Sequence, residues 1–145
     1  MKHYTFHLAV LFCLLAFVSP GCEEEELDID SLILGKWEIS SVTITYFIGN
    51  IQINQQIETF APDELAVALT KGGTGYLYEE GIQTGTFDWS LDGKWLTFPP
   101  PDMDPVEGKV KFINKNRLKV TWEEEEMEGD ITTIIKYQID ATRVD

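Results

Sequence analysis

Residues 85–98, "GTFDWSLDGKWLTF", decide the fold, because two alternating apolar rows meet across the pair Asp92-Gly93. Phe87, Trp89 and Leu91 are interleaved with Asp88 and Ser90 before the pair, and Leu96 and Phe98 flank Thr97 after it. A period of two in aromatic and branched residues marks strands with one face on a core. Asp-Gly is a preferred two-residue type I′ turn. Pairing Leu91 with Lys94 then sets Trp89 opposite Leu96 and Phe87 opposite Phe98 on the inner face. Trp95 falls on the other face with Ser90 and Asp88, the one tryptophan this register places outside the core.

The same alternation extends in both directions. In "GKVKFINKNRLKVTWEE", residues 108–124, a three-residue turn Asn114-Lys115-Asn116 with Asn116 left-handed sets Val110 against Val120 and Phe112 against Leu118, and Trp122 continues the inner row. Lys109, Lys111, Arg117 and Lys119 make a basic outer row. Its expected role is solubility, screened by Glu107 and Glu123, because no glycine loop of the phosphate-cradling kind accompanies it. Upstream, Trp37 and Ile39 alternate on one parity and Val42, Ile44 and Tyr46 on the other, so a β-bulge is expected at Ser40-Ser41.

"GGTGYLYEEGIQTGTF" predicts a strand pair around Glu79 to Gln83, and "ITTIIKYQIDATR" a last strand in which Ile135, Tyr137 and Ile139 alternate. Residues 62–70 fit a short helix, with Pro62 near its start and Gly72 at its end, or a strand, since Leu65, Val67 and Leu69 alternate. The strand is preferred. Pro99 to Asp102 forms a rigid connection that cannot join a central strand. The expectation is all-β: an antiparallel up-and-down barrel of about eight strands.

The amino terminus is a different kind of sequence. Met1-Lys2-His3 gives a cationic start, and Phe6 to Val18 is an almost unbroken apolar run. Thirteen residues are too short to cross ~30 Å of hydrocarbon, yet they suit the apolar stretch of an export signal. Cleavage before Cys22 is expected, giving a signal peptide over 1–21, an acidic tether over 22–31 and the barrel domain over 32–145. Ser19-Pro20-Gly21 ahead of Cys22 resembles a bacterial lipobox, which makes Cys22 a lipidated N-terminal residue and the membrane a partner. Ser19 and Gly21 also suit ordinary signal peptidase, which leaves a soluble secreted protein as the other reading. Glu23 to Glu26 directly after Cys22 read first as a solvated tether. They also resemble the tag that sends some lipoproteins to the outer face of the Gram-negative outer membrane.

Charge and chemistry narrow the function. The chain of 145 residues is long enough for one domain with one core. Its 11 basic and 25 acidic residues give −14, which becomes −15 once Lys2 is lost, and repel nucleic acid phosphates. His3, His7 and Cys13 leave with the signal, so the mature chain has no histidine and one cysteine. No Ser-His or Cys-His nucleophile, no zinc site of the His/Cys type and no internal disulfide can be assembled from that inventory. Paired carboxylates remain available for glycoside cleavage, but the acids lie in exposed runs. "WEEEEMEGD", with Glu123 to Asp130, lacks the residue order of a calcium loop and reads as a solvated hairpin tip. No enzyme, metal or cofactor is expected.

"LILGKWEISSV", "LTKGGTGYLY", "GTFDWSLDGKWLTF", "NRLKVTWE" and "YQIDATRV", taken in order, resemble the lipocalin-like domain of small bacterial lipoproteins. The resemblance implies that Gly35 and Trp37 sit at the closed end of an up-and-down barrel with Arg143 packed over the indole. The second lipocalin motif, Thr-Asp-Tyr, has no counterpart. The resemblance also implies a small hydrophobic ligand inside the barrel, with Phe87, Trp89, Leu96, Phe98, Phe112 and Trp122 among the wall residues. The alternative is a filled interior and an outer surface, Trp95 included, that docks another envelope protein or a glycan. A monomer is expected in either case.

Overall fold

The computed structural model describes residues 28–144, and the signal peptide, Cys22 and the glutamates after it lie outside the described residues. The end of the expected tether and the first residue of the expected barrel domain form one helical turn, α1 (Ile29–Leu32), whose Ser31 hydroxyl donates to Asp28 Oδ2 at 2.6 Å. Ten strands follow among the described residues: β1 (Gly35–Ile48), β2 (Ile51–Thr59), β3 (Leu65–Leu69), β4 (Thr74–Glu79), β5 (Ile82–Asp88), β6 (Ser90–Asp92), β7 (Trp95–Phe98), β8 (Val106–Asn114), β9 (Arg117–Glu128) and β10 (Ile131–Arg143).

Every pairing is antiparallel, and the sheet runs β5-β4-β3-β1-β10-β9-β8-β7-β6 with β2 paired to β1 alone. The two ends of that order are one length of chain, because only Trp89 separates β5 from β6. Trp89 N–H donates to the Gly73 carbonyl at 2.8 Å, extending the β4 ladder past β5. Counting β5 and β6 as one wall strand, and β2 as an arm outside the ring, leaves a nearly closed barrel of eight strands.

The register around this wall is steep. Walking one way, Phe87 lies beside Gly75, Gly75 beside Leu69 and Leu69 beside Gly35. Walking the other way, Asp92 leads through Trp95, Lys109, Thr121 and Gln138 to Thr43. Asp92 is further down its strand than Phe87, yet it arrives further up β1. Such a stagger is what tilts the strands of a closed sheet and sets its diameter.

The core fills the Trp37 end of the barrel, centred on Ile33, Trp37 and Val110, which are almost fully buried. The bulge expected at Ser40-Ser41 is present as a register shift between Ile39 and Ser41 against β10. It turns Val42, Ile44 and Tyr46 onto the same side as Trp37 and Ile39. Residues 65–69 are a strand, as preferred, paired to β1 and β4.

Three local expectations are corrected. Leu91 pairs with Leu96 and Asp92 with Trp95, so the two-residue turn is Gly93-Lys94 and not Asp92-Gly93. Gly93 takes φ +59 at the first turn position, where a II′-type hairpin places glycine. The shift is even, so Trp89, Leu91, Leu96 and Phe98 keep their common face and Trp95 still points outward. In the second hairpin Val110↔Val120 and Phe112↔Leu118 hold, but Asn114 pairs with Arg117 and the turn is Lys115-Asn116. A bulge between Phe112 and Asn114 absorbs the extra residue, and the Asn116 N–H donates to Asn114 Oδ1 at 2.9 Å. Asn116 is not among the residues with positive φ. Finally, Glu123 to Glu126 lie within β9, opposite Lys136 to Thr133, and the hairpin tip is Gly129-Asp130.

Candidate functional site

The closed end is built by one tryptophan and one arginine. Trp37 and Arg143 are register partners at the edge of β1 and β10, and the guanidinium carbon stands 4.5 Å from the indole centroid. Arg143 Nη1 donates to the Leu34 carbonyl at 2.8 Å and Nη2 to that of Leu32, while Trp37 Nε1 donates to the Ile33 carbonyl at 2.8 Å. Arg143 therefore ties the segment leading into Gly35 across the mouth of the barrel. A planar cation stacked on indole adds ~0.5–2 kcal/mol beyond these bonds. This end is structural.

The six residues expected to line an interior pocket divide. Phe87, Leu96 and Phe98 line a wholly apolar cavity of about 80 Å³, together with Trp37 and aliphatic neighbours. Phe112 packs edge-on against Trp37 with centroids 6.0 Å apart, and Trp89 packs on the core at the joint between β5 and β6. Trp122 stands further up the wall, stacked on Tyr137 at 4.8 Å and met edge-on by Phe98 at 5.5 Å. Trp89 Nε1 and Trp122 Nε1 are both buried without an acceptor among the described residues. The interior holds a few water-sized spaces, well below the ~300 Å³ at which small-molecule sites begin.

Tyr137 has a perturbed hydroxyl. Burial, reinforced by the Glu124 carboxylate that it meets, pushes its pKa from the ordinary 10 up to about 12. The native chain thus keeps this proton where the unfolded chain has begun to lose it, so the contribution is complete below about pH 10 and falls as pH rises towards about 12. Urea midpoints between about pH 9 and about pH 12 are expected to drop less steeply in Tyr137→Phe than in the wild type. Parallel profiles would contradict the assignment.

A much larger concavity lies on the opposite face of the sheet, a trough of about 870 Å³. It crosses six neighbouring strands, with Gln52, Gln55 and Ile57 on β2 at one end and Trp95 on β7 at the other. Thr43 and Thr45 of β1, Gln138 of β10 and Thr121 of β9 lie between, and Trp122 and Tyr137 also border it. Thr45 is only 9% exposed although it faces away from the core, which reflects how far this face curves inward. Gln55 Nε2 donates to Thr45 Oγ1 at 3.2 Å. The β2 arm produces the curvature: it continues the sheet beyond the ring and carries the far wall of the trough.

The charges of the trough balance. Lys109 and Lys136 face Glu107 and Glu123, on a chain whose total is −14. Lys136 Nζ pairs with Glu123 at 2.9 Å and lies 5.2 Å from the Phe47 centroid. Of the basic outer row only Lys109 reaches this surface, and Lys119 instead pairs with Asp140 at 3.7 Å. Among the described residues no three His, Cys, Asp or Glu side chains come together as metal ligands.

Sequence reasoning placed Trp95 outside the core but missed the trough that it borders. In residues 51–59, Ile51, Ile53 and Ile57 share one parity with polar residues between them, but all nine residues are exposed and the row marks no buried face. The usable signal was that weak row, in nine residues rich in Ile and Gln between Gly49-Asn50 and Ala61-Pro62, with one charge, Glu58. Comparison with family models, with curated proteins and with solved structures returned no match for this chain.

Proposed function

We propose that this chain is a lipid-anchored, lipocalin-like lipoprotein of the bacterial cell envelope, and that it works as a binding module through the outer trough and not through the barrel interior. Cys22 carries the acyl chains, the glutamates after it act as a solvated spacer, and the barrel stands off the outer membrane as a monomer. Several chains on one residue hold stably where a single chain holds weakly, at ~0.8 kcal/mol per buried CH₂. The apolar run of residues 6–18 and the small residues before Cys22 support the anchor.

The observation that carries the choice of surface is the contrast between the two concavities, about 80 Å³ inside and about 870 Å³ outside. A second reading keeps the ligand inside, and the unpartnered indole N–H groups of Trp89 and Trp122 favour it. A small amphipathic ligand that widened the wall would find two buried donors there, each costing stability while unmade.

The anchor is tested by growing cells with a fatty-acid analogue and comparing the wild type with Cys22→Ala. The wild type is expected to be labelled and to fractionate with membranes, and the variant to lose both properties. Equal labelling of the two, or none in either, would remove the lipoprotein reading.

A further inference from the structure

We propose that the outer trough is a binding site for a neutral glycan chain, which rests on the reading that this trough and not the barrel interior meets the ligand. Four observations lead to it. The first is that the trough lies on a sheet face. β1 is paired on both sides, to β10 and β2, and β10 is paired to β1 and β9, so the main chain beneath the trough is committed to ladders. A peptide gains its main-chain bonds at a strand edge. A ligand lying across β1, β10 and β9 meets side chains, and the one open strand edge, that of β2, lies at the end of the trough.

The second observation is what those side chains offer. Gln52, Gln55 and Gln138 present amides that donate and accept, and Thr43 and Thr121 present hydroxyls that do the same. A sugar hydroxyl also donates and accepts, so such a lining matches a polyhydroxylated ligand better than an apolar one. Two of the amides are held in advance, Gln55 by Thr45 and Gln138 by Asp140, whose Oδ2 accepts from Nε2 at 2.6 Å. Groups oriented before binding lose less freedom when a ligand arrives.

The third is Trp95, which is 47% exposed at the β7 end of the trough, whereas every other aromatic side chain among the described residues is buried or half-buried. A flat apolar indole beside polar groups is a platform for the C–H face of a pyranose ring, whose hydroxyls point outward to the amides. The fourth is charge. Lys109 and Lys136 are matched by Glu107 and Glu123, so the trough is neutral on a strongly acidic surface, and an anionic chain is repelled before it reaches the site. The volume, about 870 Å³, lies within the ~300–1,000 Å³ of ligand sites in general and is extended across six strands.

The experiment is calorimetric titration of the full chain with neutral oligosaccharides of four series, β-glucan, α-mannan, β-galactan and chitin, and with an oligogalacturonate as the anionic comparison. At least one neutral series is expected to bind, with Kd raised at least tenfold by Trp95→Ala and by Gln138→Ala and little changed by Trp95→Phe. Trp95 lies outside the core, and circular dichroism checks that each variant is folded. Absence of binding by every neutral series, or binding indifferent to Trp95→Ala, overturns the proposal. A protein or peptide ligand that depends on Trp95, with no sugar binding, overturns the glycan and leaves the trough as the contact surface. Binding of a fatty acid that is unaffected by Trp95→Ala, with no sugar binding, overturns both.

Discussion

Trp37→Ala is expected to lower the stability of the barrel by about 3–5 kcal/mol, the range for removing a fully packed tryptophan. The side chain is 1% exposed, and its loss opens a cavity under Arg143 that the surrounding strands cannot close. It also removes the donor bonded to the Ile33 carbonyl and the edge contact with Phe112. Urea denaturation measures the effect as a lower midpoint at unchanged slope, and melting should fall by roughly 10–20 °C. Arg143→Ala is expected to cost less, because its removal leaves the Leu32 and Leu34 carbonyls near solvent at the barrel end. The two changes should be non-additive by more than about 0.5 kcal/mol, since each removes the same stacking contact. Additive losses would mean that indole and guanidinium stabilise the end independently.

Gly75→Ala is expected to destabilise by about 1–3 kcal/mol through overpacking. Gly75 of β4 pairs with Phe87 of β5, and a Cβ there would overlap the carbons of the Phe87 ring. The ring lies flat over the glycine because no side chain separates them, an arrangement in which an aromatic neighbour covers a weak strand position. Phe87 packs on the core and lines the small interior cavity, so it has little freedom to withdraw. Phe87→Leu should restore part of the loss in the Gly75→Ala background while being destabilising alone. A Gly75→Ala variant as stable as the wild type would show that the ring can move aside, and that the interior is looser than its 80 Å³ indicates.

Most of the wall was legible because buried strands must alternate, and an inner row of Trp, Phe, Val and Ile cannot be read on the wrong face. Val110, Leu118, Val120 and Trp122 illustrate this, and so does the bulge after Ile39, where a change of parity is visible in the residues themselves. Registers were less secure. Asp92-Gly93 and Gly93-Lys94 both satisfy turn chemistry and both keep Leu91 and Leu96 inward, so the alternation alone does not choose between them. The β2 arm was invisible for the opposite reason, that it has no buried face. The trough follows from the arm: Gln52, Gln55, Thr121 and Trp95 are far apart in sequence, and only the twist of the sheet carries them to one surface.

Which face of the sheet meets the ligand can be read from the four indole N–H signals, which report both faces at once. Trp37 and Trp89 belong to the core, Trp122 is buried in the wall between core and trough, and Trp95 stands exposed at the trough. Nitrogen-15 correlation spectra of the full chain are recorded during titration with the oligosaccharides and, separately, with a medium-chain fatty acid. The prediction is a progressive shift of the Trp95 signal with a neutral sugar, with the Trp37 and Trp89 signals unmoved and none of the four responding to the fatty acid. Shifts of Trp89 and Trp122 with the fatty acid, and a stationary Trp95 throughout, would contradict it and return the site to the barrel interior.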